Sequence, residues 1–173
     1  MNFTNTIKLS TLFILIVACG EEQTHQPINP NQLKEVLIER NINAVKKEQQ
    51  QIDGYIKRHK LNPIKTGTGL HYQLIKEGEG EKAVEGQVAV ISYEVTLLDG
   101  TQCYSTKEKG PEEFKVGKDN VESGLHEAIT YLKKGDKAIV IIPSYLAHGL
   151  AGDFNKIPVR STIIYTLELI EVK

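Results

Sequence analysis

Two hydrophobic rhythms divide most of the chain. Between residues 29 and 62, Ile38, Ile42, Val45, Gln49, Ile52 and Ile56 are separated by 4, 3, 4, 3 and 4 positions, an a/d seam with one polar member. Asn29, followed by Pro30 and by Gln32 three positions on, supplies a helix-start signal. Lys57, Arg58, His59 and Lys60 place cations at the other end, before Pro63. About thirty helical residues span about 45 Å. The stripe is narrow and contains Gly54, so two readings stand: a dimerising stalk, or a helix lying on its own domain.

From Gly67 the period falls to two. Leu70, Tyr72 and Leu74 alternate with polar residues, and the later run VAVISYEVTLL sets Ile91, Tyr93, Val95 and Leu97 against Ser92, Glu94 and Thr96. The face carrying Tyr93 is the one expected to be buried. Asp99-Gly100 turns the chain, and irregular sequence is expected from there to a helix at 124–134. That helix buries Leu125, Ala128, Ile129 and Leu132, is capped by Ser123, and ends at Lys133, Lys134 and Gly135. KAIVII reads as a buried strand, and STIIYTLELIEV as a last strand with Ile163, Tyr165, Leu167 and Leu169 inward. The expected fold class is α+β: an antiparallel curled sheet wrapped over one short helix and preceded by a long N-terminal helix.

The first residues follow neither rhythm. Lys8 precedes LSTLFILIVA, an apolar run too short to span a bilayer, which ends in small residues just before Cys19. This is an export signal, and IVAC resembles the lipobox of bacterial lipoproteins, in which cleavage leaves an acylated cysteine as the new terminus. The polar stretch after it reads as a tether of about 33 Å at most. The expected organisation is a lipoprotein signal peptide at 1–18, a flexible tether at 19–28, the helix at 29–62 and one domain at 67–173.

Composition narrows function mainly by exclusion. Among 173 residues, 21 Lys and Arg stand against 22 Asp and Glu, a formal charge of -1 that offers no basic face to nucleic acid. With Cys19 acylated, Cys103 is left without a disulfide partner, so the core must hold the fold alone. The five histidines lack HxH or HExxH spacing, so no metal is expected. GTG and GEGEKAVEG are turns rather than phosphate loops, because neither lies between a strand and a helix start. A Cys103–His148 hydrolase pair has the residue types but no orienting group at a recognisable spacing.

What remains is an ordered set of segments: GLHYQLIKEGEG, VISYEVTLLDG, FKVG, GLHEAITYLKKGDKA, IPSYLAHG and IPVRSTIIYTLEL. Together, over residues 67–173, they resemble the FKBP-type peptidyl-prolyl isomerases, whose sheet forms a half-barrel. More narrowly, IERN, the Tyr-Ser after the turn, SGL, PSYLAHG and GDFNKIP resemble the gliding-motility-associated FKBP-like lipoproteins. The resemblance implies a cofactor-free isomerase of X-Pro bonds in envelope or secreted proteins, lipid-anchored in a bacterial envelope at the periplasmic face or cell surface.

It also implies a prolyl pocket, carried over position by position. Tyr93, Phe114, Val121 and Ile157 match pocket residues of the family. Cys103 and Tyr104 stand where the family has a phenylalanine and an aspartate, which implies reduced activity. Leu125 replaces a frequent tryptophan floor, His148 a tyrosine whose hydroxyl meets substrate, and Tyr165 a phenylalanine. The backbone N–H of Glu122 falls where the family contacts a ligand carbonyl. Tyr93, Tyr104 and His148 are thus the expected catalytic positions, and Cys103, Phe114, Val121, Glu122, Leu125, Ile157 and Tyr165 the expected substrate contacts. The expected partners are proline-containing polypeptides, a membrane through the lipid, and a second copy through the N-terminal helix. The alternative is a catalytically lapsed member that docks peptides for a motility or secretion machinery.

Overall fold

The computed structural model describes residues 29–173, so the signal peptide, Cys19 and the tether lie outside it. Helix α1 (Pro30–His59) starts as the sequence implies: the Asn29 side chain accepts from the Asn31 N–H at 3.0 Å and Pro30 is the first helical residue. It stops three residues short of position 62, because Lys60 turns left-handed and its N–H closes onto Ile56 and Lys57. Seven strands follow in one antiparallel sheet: β1 (Ile64–Lys65), β2 (His71–Lys76), β3 (Val88–Leu97), β4 (Gln102–Ser105), β5 (Glu112–Lys115), β6 (Lys137–Ile142) and β7 (Ile163–Val172). Their spatial order is β1-β2-β6-β7-β3-β4, and β5 pairs the other half of β3.

One strand therefore serves two partners along its outer edge. β4 pairs Glu94–Thr96 and β5 pairs Val88–Ile91. Buried Thr106 fills the break between them, its Oγ1 accepting from the Tyr93 N–H at 2.8 Å and its own N–H donating to the Tyr93 carbonyl at 3.0 Å. The region expected to be irregular after Gly100 thus contains two short strands. Their pairing comes from β3 and is not encoded in four-residue runs such as QCYS and EEFK.

The second helix, α2, runs Ser123–Ile129 and is shorter than the 124–134 expected. Leu132 is buried as the pattern requires, but the chain reaches it through a turn. Ser123 does not cap the helix: Glu122 holds the cap position, and the Ser123 hydroxyl donates to the Leu146 carbonyl at 3.2 Å. Gly124 allows α2 to press against β6, since a Cβ there would lie 2.3 Å from the Ile142 methyl.

The core is double. On the concave face, Leu125, Ala128 and Ile129 of α2 pack with Ile91, Val95, Val140, Ile163, Tyr165, Leu167 and Leu169. On the convex face Ile52 of α1, 1% exposed, packs on Ile141 and Ile164 with Tyr55, Ile56 and Leu61 around them. The second half of α1 therefore lies on its own domain. Leu33, Val36, Leu37, Ile38, Ile42 and Val45 in the first half remain exposed. In β2 the alternation is also overridden: Tyr72 faces the concave core, Leu74 is exposed, and His71 is buried.

His71 is 4% exposed and its Nδ1 has no hydrogen-bond partner among the described residues. Burial, reinforced by Lys65, holds its pKa below the usual imidazole value. The unfolded chain therefore binds the proton more tightly than the folded one. Stability is full above the ordinary imidazole pKa of about 6.5 and declines as pH falls below it. Urea unfolding between pH 8 and 5 should show that decline, and His71→Phe should flatten it. Equal slopes in the two proteins would remove His71 as its source.

Candidate functional site

A groove with a volume of about 750 Å³ opens on the concave side. β3 contributes Tyr93, β5 Phe114, the start of α2 Leu125, and β7 Tyr165, each from an inward position of a packed element. The Tyr93 and Tyr165 rings lie 5.3 Å apart at 57°, a tilted aromatic pair that fixes one wall. Val121 and Glu122 close one side, Tyr104 the other, and Ala147 and His148 the rim.

Polar groups in the groove are paired among themselves. The Tyr93 hydroxyl donates to Glu112 at 2.8 Å, and the Tyr165 hydroxyl lies 3.2 Å from both oxygens of Glu122. His148 Nε2 is 3.0 Å from Glu122 Oε1. The Tyr104 hydroxyl donates to Asp153, whose other oxygen accepts from the N–H groups of Asn155 and Ile157 at 2.9 and 2.7 Å. Burial and Glu112 push the Tyr93 phenol well above its usual pKa, and burial and Glu122 do the same to Tyr165. Asp153, with some help from burial, raises Tyr104 as well. All three phenols stay protonated throughout the physiological range.

Asp153 shifts the opposite way. Desolvation opposes its charge, but donation from Tyr104 and from the Asn155 and Ile157 backbones, with His148 nearby, brings its pKa to about 2. The Glu122 backbone N–H has no hydrogen-bond partner among the described residues and borders the groove. Nothing here forms a nucleophile–base pair. Burial pushes the Cys103 thiol upward, away from reactivity.

Eight of the ten sequence-derived positions line the groove: Tyr93, Tyr104, Phe114, Val121, Glu122, Leu125, His148 and Tyr165. Cys103 and Ile157 do not. Cys103 is 2% exposed and its Sγ lies 3.6 Å from the Lys156 carbonyl, so with buried Ile157 it packs behind the wall. Tyr104, the next residue on β4, supplies the wall itself. Sequence reasoning missed Glu112, Asp153 and Asn155, which also line the groove. For Asp153 a local signal existed: an aspartate in a Gly-Asp-x-Asn turn accepts backbone N–H groups two and more residues ahead. It also missed Phe154, between two groove residues, which is 91% exposed with φ 59°.

Comparison with known proteins gives a consistent picture. The family model for FKBP-type peptidyl-prolyl cis-trans isomerases matches residues 79–170, just over half of the chain. The FKBP-type isomerase FkpA of Escherichia coli K12 is 38% identical over 112 residues, covering 64% of this chain and 40% of that protein. A probable FkpA of Neisseria meningitidis serogroup B is 33% identical over 108 residues, covering 62% and 39%. The chain thus spans about two fifths of the length of these relatives. The crystal structure of E. coli FkpA superposes with a TM-score of 0.66 at 29% identity, over 83% of this chain and 71% of that one. The N-terminal domain of FKBP42 from Arabidopsis thaliana gives 0.58 at 28%, over 60% and 86%.

The Tyr104–Asp153 pair makes a direct prediction. Asp153→Ala removes the acceptor that raises the Tyr104 phenol and the anchor of the 153–157 turn. In an alkaline ultraviolet titration one phenol should ionise at lower pH than in the parent, and Tm should fall by about 3–5 °C. Unchanged phenol titration would mean that the pair does not form in solution.

Proposed function

We propose that this chain, which belongs to the FKBP-type peptidyl-prolyl cis-trans isomerase family, uses the Tyr93–Tyr165 groove to accelerate rotation about X-Pro bonds of envelope or secreted proteins. The observation that carries the reading is an aromatic groove whose phenols are all captured by carboxylates. Ring faces are left for a proline, and no acid, base or nucleophile is needed. Rotation about the amide has a barrier of about 18–20 kcal/mol because the C–N bond is partly double. A pocket that seats the ring and sheds water disfavours the planar, polarised amide relative to the twisted one. In this reading the Glu122 backbone N–H, unpaired among the described residues, receives the displaced carbonyl. In this reading Tyr93 and Tyr104 shape the wall, and His148, with its Nε2 turned to Glu122, closes the rim.

Activity is reduced relative to members with a larger floor. A leucine at 125 in place of an indole forfeits about 1.5–3 kcal/mol of apolar contact, and each power of ten in rate corresponds to about 1.36 kcal/mol. Cys103, being behind the wall, contributes less to this loss than its position in the sequence suggests. The chain is anchored by acylated Cys19 in the bacterial envelope, facing the periplasm or the cell surface. Pairing of two copies through the exposed first half of α1 fits its a/d spacing. A second reading, a peptide-docking module of a motility or secretion machinery without turnover, is favoured by one observation: the Glu122 carboxylate on the groove wall keeps it wetter than a purely apolar one.

Two experiments test these statements. In a protease-coupled assay with an Ala-Pro peptide, the full chain should exceed the spontaneous rate, and Leu125→Trp should raise kcat/KM by about tenfold. A rate equal to the spontaneous one in both proteins selects the docking module. For the anchor, the parent protein should sediment with membranes and Cys19→Ser should appear in the soluble fraction. A Cys19→Ser protein that still sediments overturns lipid attachment.

A further inference from the structure

The convex-side helix and the concave-side groove are joined by a route that starts at a buried acid. Glu48 of α1 is 9% exposed, and its carboxylate accepts from the Ser144 N–H at 2.7 Å, the Ser144 hydroxyl at 3.0 Å and the Thr162 hydroxyl at 2.6 Å. Ser144 and Thr162 lie 96 and 114 residues away in sequence. No Lys, Arg or His forms an ion pair with Glu48 among the described residues. Apolar contact of Ile52 with Ile141 and Ile164 already docks the helix, and a buried charge is a poor way to add to that. What the charge does organise is a loop.

Ser144 is the hub of that loop. It opens the 3-10 turn Ser144–Leu146, and its carbonyl accepts from the N–H groups of Ala147 at 3.1 Å and Gly149 at 2.8 Å, the two neighbours of His148. Gly149 in turn accepts from the Arg160 N–H at 2.8 Å, which ties the loop to the chain leading into β7. The backbone on both sides of His148 is therefore fixed through Ser144, and Ser144 is fixed by Glu48. At the far end His148 Nε2 meets Glu122 at 3.0 Å on the groove rim. The route runs from Glu48 to Ser144, to the Ala147 and Gly149 backbone, to His148 and to Glu122.

We propose that Glu48 is a positioning residue for the groove: from helix α1 its carboxylate sets the loop that holds His148 against Glu122, and so makes the groove's rim depend on that carboxylate. The consequence for peptides rests on the groove being the substrate site, as argued above. The geometric consequence for His148 does not. α1 is accordingly part of the working site, although the groove itself contains none of its residues.

The test uses the full chain with Glu48→Ala, His148→Ala, the double variant, and Ile52→Ala as a control that weakens the same helix seam without touching the carboxylate. Glu48→Ala should shift the His148 ring resonances in NMR spectra, and Ile52→Ala should lower Tm while leaving them in place. For a proline-containing peptide, Glu48→Ala should weaken affinity about five- to tenfold in the parent. In the His148→Ala background the same change should have less than about a twofold effect, because the route then has no end. An unshifted His148 ring, or an equal shift in Ile52→Ala, overturns the positioning role whether or not peptides bind. So does an affinity loss of the same size in both backgrounds. Failure of every protein to bind the peptide counts against the substrate reading alone, with the ring resonances still deciding the role of Glu48.

Discussion

The centre of the sheet is apolar on both faces, and the rest of the molecule follows from covering it. In β6 and β7, Val140 and Tyr165 point to the concave core while Ile141 and Ile164 point the other way. Two-sided burial of neighbouring strands demands a layer on each side. α2 supplies one with only seven residues, so curvature of the sheet must close the remainder and leaves the groove at its open end. The second half of α1 supplies the other. Without it, Ile141 and Ile164, paired across the two central strands, would form an exposed apolar patch.

That division of labour explains why the two halves of one helix differ. Ile52 and Glu48 lie where the sheet is beneath them, and they make apolar contact and hydrogen bonds respectively. Ile38 and Ile42 continue the same seam as exposed residues, and Val45, also exposed, borders a cleft between the helix and the loop that begins at Ser144. The reading of the stripe as a helix lying on its own domain thus holds from about residue 48 onward, and before it the stripe is an exposed apolar edge.

How far the sequence speaks depends on the range of the interaction. The inward faces of β3 and β7, the N-terminal cap at Asn29 and the burial of Leu125, Ala128, Ile129 and Leu132 are set by period and local chemistry, and they were legible. β4 and β5 were not, because their pairing is decided by the edge of β3. The exposure of Leu74 and burial of His71 were also not legible, because alternation cannot tell which face another helix covers. In the groove, ring positions followed from resemblance. The acids Glu112 and Asp153 gain meaning only when tertiary contact places a phenol beside each. The consecutive apolar residues of KAIVII did announce a buried strand, whereas STIIYTLELIEV read as a strand with one inward face, and the burial of Ile164 on its other face came as a difference. What they could not announce was that the covering layer is a helix about a hundred residues earlier.

The three phenol–carboxylate pairs bear on mechanism more than any single pocket residue. A free phenol in the groove could donate to a substrate carbonyl or, if ionised, accept a proton. Here Tyr93, Tyr104 and Tyr165 each keep their proton and donate it in a hydrogen bond to a carboxylate, and each is pushed upward in pKa. Their oxygens are held aside while their ring faces stay in the wall. The tyrosine wall is thereby a fixed, neutral surface across the physiological range. His148 lines the same groove and touches Glu122 beside that wall. A reaction that needs only a ring seat, a shortage of water and one backbone donor loses nothing by this arrangement. A reaction that needs proton transfer would lose its means.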